Sequence, residues 1–288
     1  MKDTCLQILN RAVEQFRSAG VDRPRTNAEL LLESVLDAKK IDLYLDRDRI
    51  LTPEQIERFN RFIQKRIAGM PLQYILGSTE FFGLEFEVNE SVLIPRPETE
   101  TLVETVIEHL KDKTHPKIID LGTGSGAIAV TLAKNLKDCL VYATDISPDA
   151  VEVAKGNAKA HEVDNKIGFL TGDLFEPLRR KKLEKTIDCV VSNPPYVSQE
   201  EFNNLPNEVK CYEPIVALKT DEEGTSFHKE IIEGSLDFLK GGGILVLEVG
   251  LDQANKVADL IGNHKDFRSV EIKKDLGGIE RMVIAHKT

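Results

Sequence analysis

The sequence predicts an α/β protein: a parallel sheet covered on both faces by helices, ending in an antiparallel hairpin, and preceded by a small all-α domain and a β-hairpin linker. Three observations carry this reading. Apolar residues recur at three-to-four spacing from Cys5 to about Ile67, short apolar runs alternate with helical patterns from residue 117 onward, and two strand-like runs flank Leu276-Gly277-Gly278 near the end. The divisions fall at residues 1–70, 71–97 and 98–288.

The first helices are set by Leu6, Leu9, Ala12, Val13 and Phe16, then by Ala28, Leu31, Leu32, Val35 and Leu36, and then by Ile56, Phe59, Ile63 and Ile67. Breaks come at residues 20–24 and at Thr52-Pro53, where Thr52 can cap a helix and Pro53 can open it at its first position. Next, residues 81–88 and 92–94 read as a β-hairpin turning at Asn89-Glu90. Helical spacing resumes with Leu102, Val103, Val106 and Leu110.

Strands are expected at 117–121, 140–144, 167–170, 187–191 and 244–249, with helices between them, which implies parallel pairing and right-handed crossovers. The runs 269–274 and 281–286 form the terminal hairpin, so the last strand enters antiparallel.

Composition narrows the function. With 41% hydrophobic and 30% charged residues, the chain can build a real core. A net charge of −10 argues against a general polyanion binder, and the basic run at 179–182 reads as a solvated loop, so direct nucleic-acid binding is not expected. Apolar runs fall short of membrane-spanning length, and Met1-Lys2-Asp3-Thr4 lacks a signal-peptide layout; a cytoplasmic location is expected, with no membrane association. Cys5, Cys139, Cys189 and Cys211 are scattered and the six histidines lie far apart, so neither disulfides nor a bound metal is expected.

The chemistry concentrates in two stretches. The strand at 187–191 ends in Asn193-Pro194-Pro195-Tyr196, where successive prolines forbid ladder donors and helix continuation and so form a rigid elbow. An amide at its entrance, carbonyls without N–H groups in the middle and an aromatic ring at its exit suit a planar group carrying an NH2. Two prolines also serve simply to end a strand. The strand at 117–121 runs into Gly122-Thr123-Gly124-Ser125-Gly126 and then a helix, a turn where a ligand can approach the backbone and an anion can meet free N–H groups. About 20 residues on, Asp145 closes the second strand, where a carboxylate can hold both hydroxyls of a ribose. Asp173 closes the third and can accept from an adenine amine, with Leu174 or Phe175 against the ring. Either Asp can instead cap the segment that follows it. All these positions, and Asn193, lie at strand carboxyl ends, the ligand-binding edge of open α/β sheets.

The stretch 120–126 resembles the cofactor loop of class I S-adenosylmethionine-dependent methyltransferases, and Asn193-Pro194-Pro195-Tyr196 resembles the signature of those that methylate planar nitrogens. The segments Gly69-Met70-Pro71-Leu72-Gln73-Tyr74-Ile75-Leu76-Gly77, Phe81-Phe82-Gly83 and Ile94-Pro95-Arg96-Pro97-Glu98-Thr99-Glu100 are similar to the peptide chain release factor glutamine methyltransferases of the HemK/PrmC type. That resemblance implies a Rossmann-like class I methyltransferase sheet and an enzyme that moves a methyl from S-adenosylmethionine to the glutamine amide nitrogen in the Gly-Gly-Gln loop of release factors. It implies that Gly122, Thr123, Gly124, Ser125, Gly126, Asp145, Asp173, Leu174 and Asn193 hold the cofactor. Asn193, Pro194, Pro195 and Tyr196 would hold the glutamine, with Tyr196 stacked on its amide. The N-terminal helices carry neither motif; selecting one glutamine in one protein loop needs contacts remote from the amide, so these helices are expected to recognise the protein substrate, the alternative being that they simply shield part of the catalytic domain. Residues 219–224 depart from the family pattern and receive no role. The alternatives are a methyltransferase acting on exocyclic amines of nucleic acid and a nicotinamide-dependent oxidoreductase using the same glycine turn, which leaves Asn193-Pro194-Pro195-Tyr196 unexplained.

Overall fold

The computed structural model describes residues 4–288, which divide into two compact units. The first comprises the chain up to Gly77 together with Asn207–Tyr212. Its helices are α1 (Cys5–Ser18), α2 (Pro24–Leu36), α3 (Lys40–Leu45), α4 (Pro53–Ile67) and α5 (Leu72–Leu76). Thr4 and Gln7 satisfy each other's backbone N–H groups at the start of α1, and Thr52 and Gln55 do the same for α4, so both helices begin in capping boxes. Phe16, Leu31, Leu32, Phe59 and Ile63 interlock as the core, at the helical spacing expected of them. Arg66 donates to Asn27 Oδ1 at 2.8 Å and to the Met70 carbonyl at 2.9 Å, and pairs with Glu208 at 2.9 Å. The Tyr212 hydroxyl donates to the Ala68 carbonyl at 3.0 Å. These bonds recruit 207–212 into a helical unit more than a hundred residues away in sequence, which local pattern does not signal.

The second unit opens with β1 (Ser78–Phe81) and β2 (Leu84–Glu87), an antiparallel pair. This corrects the expected turn at Asn89-Glu90: the hairpin turns at Phe82-Gly83, and 92–94 is not a strand. Phe82 and Gly83 lie at φ +53° and +71°, the left-handed pair that matches strand twist in a two-residue turn. Glu100 Oε1 accepts the Phe82 N–H at 2.7 Å and holds the turn.

There follow α6 (Pro97–Leu110), β3 (Lys117–Leu121), α7 (Ala127–Asn135), β4 (Leu140–Asp145), α8 (Pro148–Ala160), β5 (Ile167–Thr171) and β6 (Ile187–Ser192). After β6 come α9 (Gln199–Asn204), α10 (Asn207–Tyr212), α11 (Ile215–Leu218), α12 (Ser226–Phe238), β7 (Leu239–Glu248), α13 (Ala254–Gly262), β8 (Phe267–Lys274) and β9 (Glu280–Lys287). The sheet order is β5-β4-β3-β6-β7-β9-β8, with β5 to β7 parallel and β9 antiparallel to both its neighbours, as the terminal hairpin requires.

Alternate strand residues feed opposite faces. Ile118, Val141, Cys189 and Val246 pack under α6, α7 and α8, while Ile119, Val190, Leu245 and Val283 pack under α12 and α13. Strand β6 is buried along its whole length, as a central parallel strand must be. Cys5, Cys139 and Cys189 are buried thiols, whereas Cys211 is exposed. Among the described residues, no helix is long and apolar enough to cross a membrane.

The turn gives a direct check. Space around the Gly83 Cα is open, so substitution is opposed by φ alone. Gly83→Val should cost about 1–2 kcal/mol, the penalty for placing an L side chain in the left-handed region. Urea unfolding with an unchanged midpoint would show that the turn is not under this constraint.

Candidate active site

The strand order reverses between β3 and β6, and ligand crevices in open sheets form beyond the carboxyl ends of strands at such a switch point. The register determines what lies there. Leu121 stands opposite Thr144 on one side and Ser192 on the other, Ser192 stands opposite Leu247, and Asp145 stands opposite Thr171. The next residue along each strand therefore forms a row across the sheet edge: Thr171, Asp145, Gly122, Asn193, Glu248. Residues about 70 positions apart in sequence become neighbours.

A cleft opens over this row. It is lined by Gly122, Gly124, Asp145, Asp173, Leu174, Asn193, Pro194 and Pro195 among the expected residues, and by Ser91 to Leu93, Leu121, Ile146, Ser147, Ala150, Ser192, Pro214, Val216, Ala217 and Phe227 besides. Gly122 and Gly124 sit at φ +69° and +55° with nothing near the place of a Cβ, so their backbone faces open space. Thr123, Ser125 and Gly126 do not line the cleft; they build the turn. Thr123 Oγ1 donates to Asp120 Oδ2 at 2.6 Å, and the Gly126 N–H donates to the Thr123 carbonyl at 2.8 Å. The Ser125 carbonyl accepts from Asn157 Nδ2 at 2.8 Å. A Cβ on Gly126 would lie 3.0 Å from that of Ala154, a contact only glycine avoids. Asn157 also exchanges bonds with both backbone groups of Glu87, tying the β1–β2 hairpin to the glycine turn.

Asp145 is partly committed to the scaffold. Its Oδ2 accepts the Gly124 N–H at 2.8 Å and its Oδ1 the Ser147 N–H at 2.9 Å, and the residue lines the cleft. Burial raises its pKa, partly offset by these bonds. Asp173 is exposed at the rim. Leu174 adopts a left-handed backbone, and its carbonyl accepts from Thr144 Oγ1 at 3.0 Å, which fixes the side chain at the cleft wall. Phe175, the alternative ring partner, is in the core, stacked on Phe238 with centroids 5.1 Å apart.

The elbow is held from beneath by residues that the sequence pattern did not single out. Asn193 Nδ2 donates to Thr99 Oγ1 at 3.2 Å, and the Thr99 hydroxyl donates to Glu248 Oε2 at 2.6 Å. Tyr196 is not among the residues lining the cleft; its hydroxyl donates to Glu248 Oε1 at 3.4 Å. Its carbonyl accepts from Gln253 Nε2 at 2.9 Å, and a side chain on Gly224 would collide with that amide. The 219–224 segment, which carried no expected role, thus supplies the small residue that lets Gln253 reach the elbow. Glu248 stands as an acid inside an apolar strand and Thr99 lies in the Ile94–Glu100 segment, but their pairing across 149 residues has no local signal.

Two carboxyls on this edge are buried and perturbed. Burial pushes Asp120 up to about 7, with the Thr123 bond pulling it down and the Asp145 charge pushing it further up; its Oδ1 has no hydrogen-bond partner among the described residues. Burial likewise raises Glu248 to about 7, opposed by the Thr99 and Tyr196 bonds. A carboxyl whose folded pKa exceeds its unfolded value stabilises the fold at low pH and loses that contribution as pH rises through the folded value. Unfolding free energies should therefore fall less between pH 4 and about pH 8 in Asp120→Asn than in the parent chain; identical pH slopes would contradict the burial of this group.

Comparison with known proteins identifies the family. The PrmC N-terminal domain model matches residues 7–77, and the methyltransferase small domain model matches residues 99–209. Release factor glutamine methyltransferase of Moorella thermoacetica is 39% identical over 284 residues, covering 99% of each chain. That of Clostridium acetobutylicum is 39% identical over 260 residues, covering 90% of each. In fold, the chain is similar to a methyltransferase from Pyrococcus furiosus, with a TM-score of 0.52 and 19% identity over 82% of this chain and 99% of that one. The sheet is that of a Rossmann-like class I methyltransferase, and the chain belongs to the release factor glutamine methyltransferase family.

Proposed function

We propose that this chain methylates the side-chain amide nitrogen of the glutamine in the Gly-Gly-Gln loop of peptide chain release factors, with S-adenosylmethionine as donor. The observation that carries the reading is the row at the sheet edge. The Asn193 amide shares one cleft with the Gly122 turn and the Asp145 carboxylate, in a chain whose curated relatives are named for this activity.

The cleft suits an adenosyl group with a charged tail. The turn Gly122 to Gly126 offers bare backbone at Gly122 and Gly124 and so takes the tail, while the Asp145 carboxylate, at the cleft wall, accepts from the two ribose hydroxyls. Asp173 accepts from the adenine amine, Leu174 and Ile146 flank the ring, and Asn193 borders the reacting end. S-adenosylmethionine supplies an electrophilic methyl on its sulfonium.

An amide nitrogen is a poor nucleophile because its lone pair is delocalised into the carbonyl. Asn193 Oδ1 and the Pro194 carbonyl accept its two N–H bonds, orienting the nitrogen and favouring the positive charge that develops there. Pro194 and Pro195 have no N–H groups, so the elbow presents acceptors without competing donors. The surplus proton leaves to water. Tyr196 keeps the elbow in place through Glu248 and Gln253. Contacts away from the amide, which select one glutamine in one protein loop, fall to the helical N-terminal domain, with that remote binding energy used for orientation.

The test is peptide mapping after incubation with methyl-labelled S-adenosylmethionine and purified release factor: label on the Gly-Gly-Gln glutamine is expected, and its absence would overturn the reading. Asn193→Ala should leave cofactor affinity within about twofold and lower kcat roughly a hundredfold, the scale of one oriented polar contact in a transition state; a kcat within twofold of wild type would remove it from catalysis. Asp145→Ala should instead raise the cofactor KM at least about tenfold with a smaller change in kcat, as expected of a contact made equally in ground and transition states. Unchanged cofactor binding by calorimetry would contradict that role.

A further inference from the structure

The Asn193 side chain carries an acceptor on one side and a donor on the other, and only one of its two orientations presents the oxygen to an incoming amide. Nothing in Asn193 itself chooses between them. The choice comes from a chain of hydrogen bonds with a fixed direction. Tyr196 donates to Glu248 Oε1 and Thr99 to Oε2, so the ionised carboxylate is an acceptor on both oxygens. Thr99 therefore commits its single proton to Glu248, at 2.6 Å, and has only lone pairs left to offer. The group that meets those lone pairs must be a donor, so Asn193 turns Nδ2 toward Thr99, at 3.2 Å, and Oδ1 toward the cleft. Reversing the amide would set two acceptors against each other.

We propose that Thr99 and Glu248 are positioning residues for methyl transfer, fixing which end of the Asn193 amide faces the substrate. Three features support this. Glu248 is fully buried at the end of β7, where an apolar residue would cost less, and its two oxygens are met by hydroxyls from α6 and from the elbow itself. His228, buried on α12, bonds the Glu248 carbonyl at 2.8 Å and so anchors the backbone beneath the carboxyl. The register of β6 and β7 puts Glu248 beside Asn193, so the relay is as fixed as the sheet. Thr99 and Glu248 do not line the cleft; they act through Asn193.

This rests on the methyl-transfer reading above, and the experiment separates the two. With wild type first shown to label the release-factor glutamine, kcat and cofactor Kd are measured for Thr99→Val, Thr99→Ser, Asn193→Ala and the Thr99→Val/Asn193→Ala double variant. Thr99→Val should lower kcat by about tenfold, the scale of one net hydrogen bond, with cofactor Kd unchanged, and Thr99→Ser should restore kcat to within about twofold of wild type. Thr99→Ala removes the same hydroxyl and serves if valine is not tolerated. In the Asn193→Ala background, Thr99→Val should slow the reaction no further, because a residue that acts only through Asn193 has nothing left to orient. A purely structural role for Thr99 predicts that the two losses multiply and that serine does not rescue. Multiplying losses, failure of serine to rescue, or a Thr99→Val kcat within twofold of wild type would overturn the proposal. No labelling by wild type itself would instead overturn the methyl-transfer reading.

Discussion

The pairing of β3 with β6 is the constraint on which the functional edge depends. With Leu121 opposite Ser192, both strands end level, and the glycine turn and the elbow emerge side by side. Because successive strand residues face opposite sides of a sheet, a slip of one residue would exchange the two cores and separate Gly122 from Asn193. The register is locked by complete burial of β6 and by its two faces, with Cys189 and Val191 on one and Val190 on the other. Ser192 Oγ adds a bond to the Leu121 carbonyl at 2.8 Å, at the point where the strands part. Hydrophobic burial thus supplies the precision that the site needs.

The edge also concentrates polar groups that a core would normally reject. Asp120 and Glu248 are fully buried carboxyls raised by that burial, and Asp145 is raised as well. Their bonds run to the turn and elbow: Asp120 to Thr123, Asp145 to Gly124, and Glu248 to Thr99 and Tyr196. Each carboxyl holds a backbone or side-chain group that borders the cleft or supports one that does. Stability given up through desolvation is exchanged for fixed orientation of the groups around the cleft.

Much of this was legible in the sequence for a physical reason. Strand-and-helix alternation follows from local periodicity, so the parallel sheet and its terminal hairpin could be read directly, as could the start of α4 at Thr52-Pro53. Glycines at 122 and 124, acids at strand ends and Asn193-Pro194-Pro195 are dense local signals, and all fall at the cleft. What was not legible depends on long-range contact. The Phe82-Gly83 turn was hidden because an apolar run on both sides of one glycine reads as a single strand. Residues 207–212 join the helical unit through Arg66 and Tyr212, and the Tyr196 hydroxyl bonds Glu248, 52 residues away. Periodicity carries no information about either.

In the proposed complex, Asn193 presents Oδ1 to a substrate amide alongside a ligand held by the Gly122 turn and Asp145. A crystal structure of the chain with S-adenosylhomocysteine and a Gly-Gly-Gln peptide tests it most directly. The glutamine amide nitrogen is expected within hydrogen-bond distance of Asn193 Oδ1 and the Pro194 carbonyl, with Nδ2 still on Thr99 and the ribose on Asp145. A glutamine amide bound elsewhere, or an Asn193 whose oxygen faces Thr99, would contradict it.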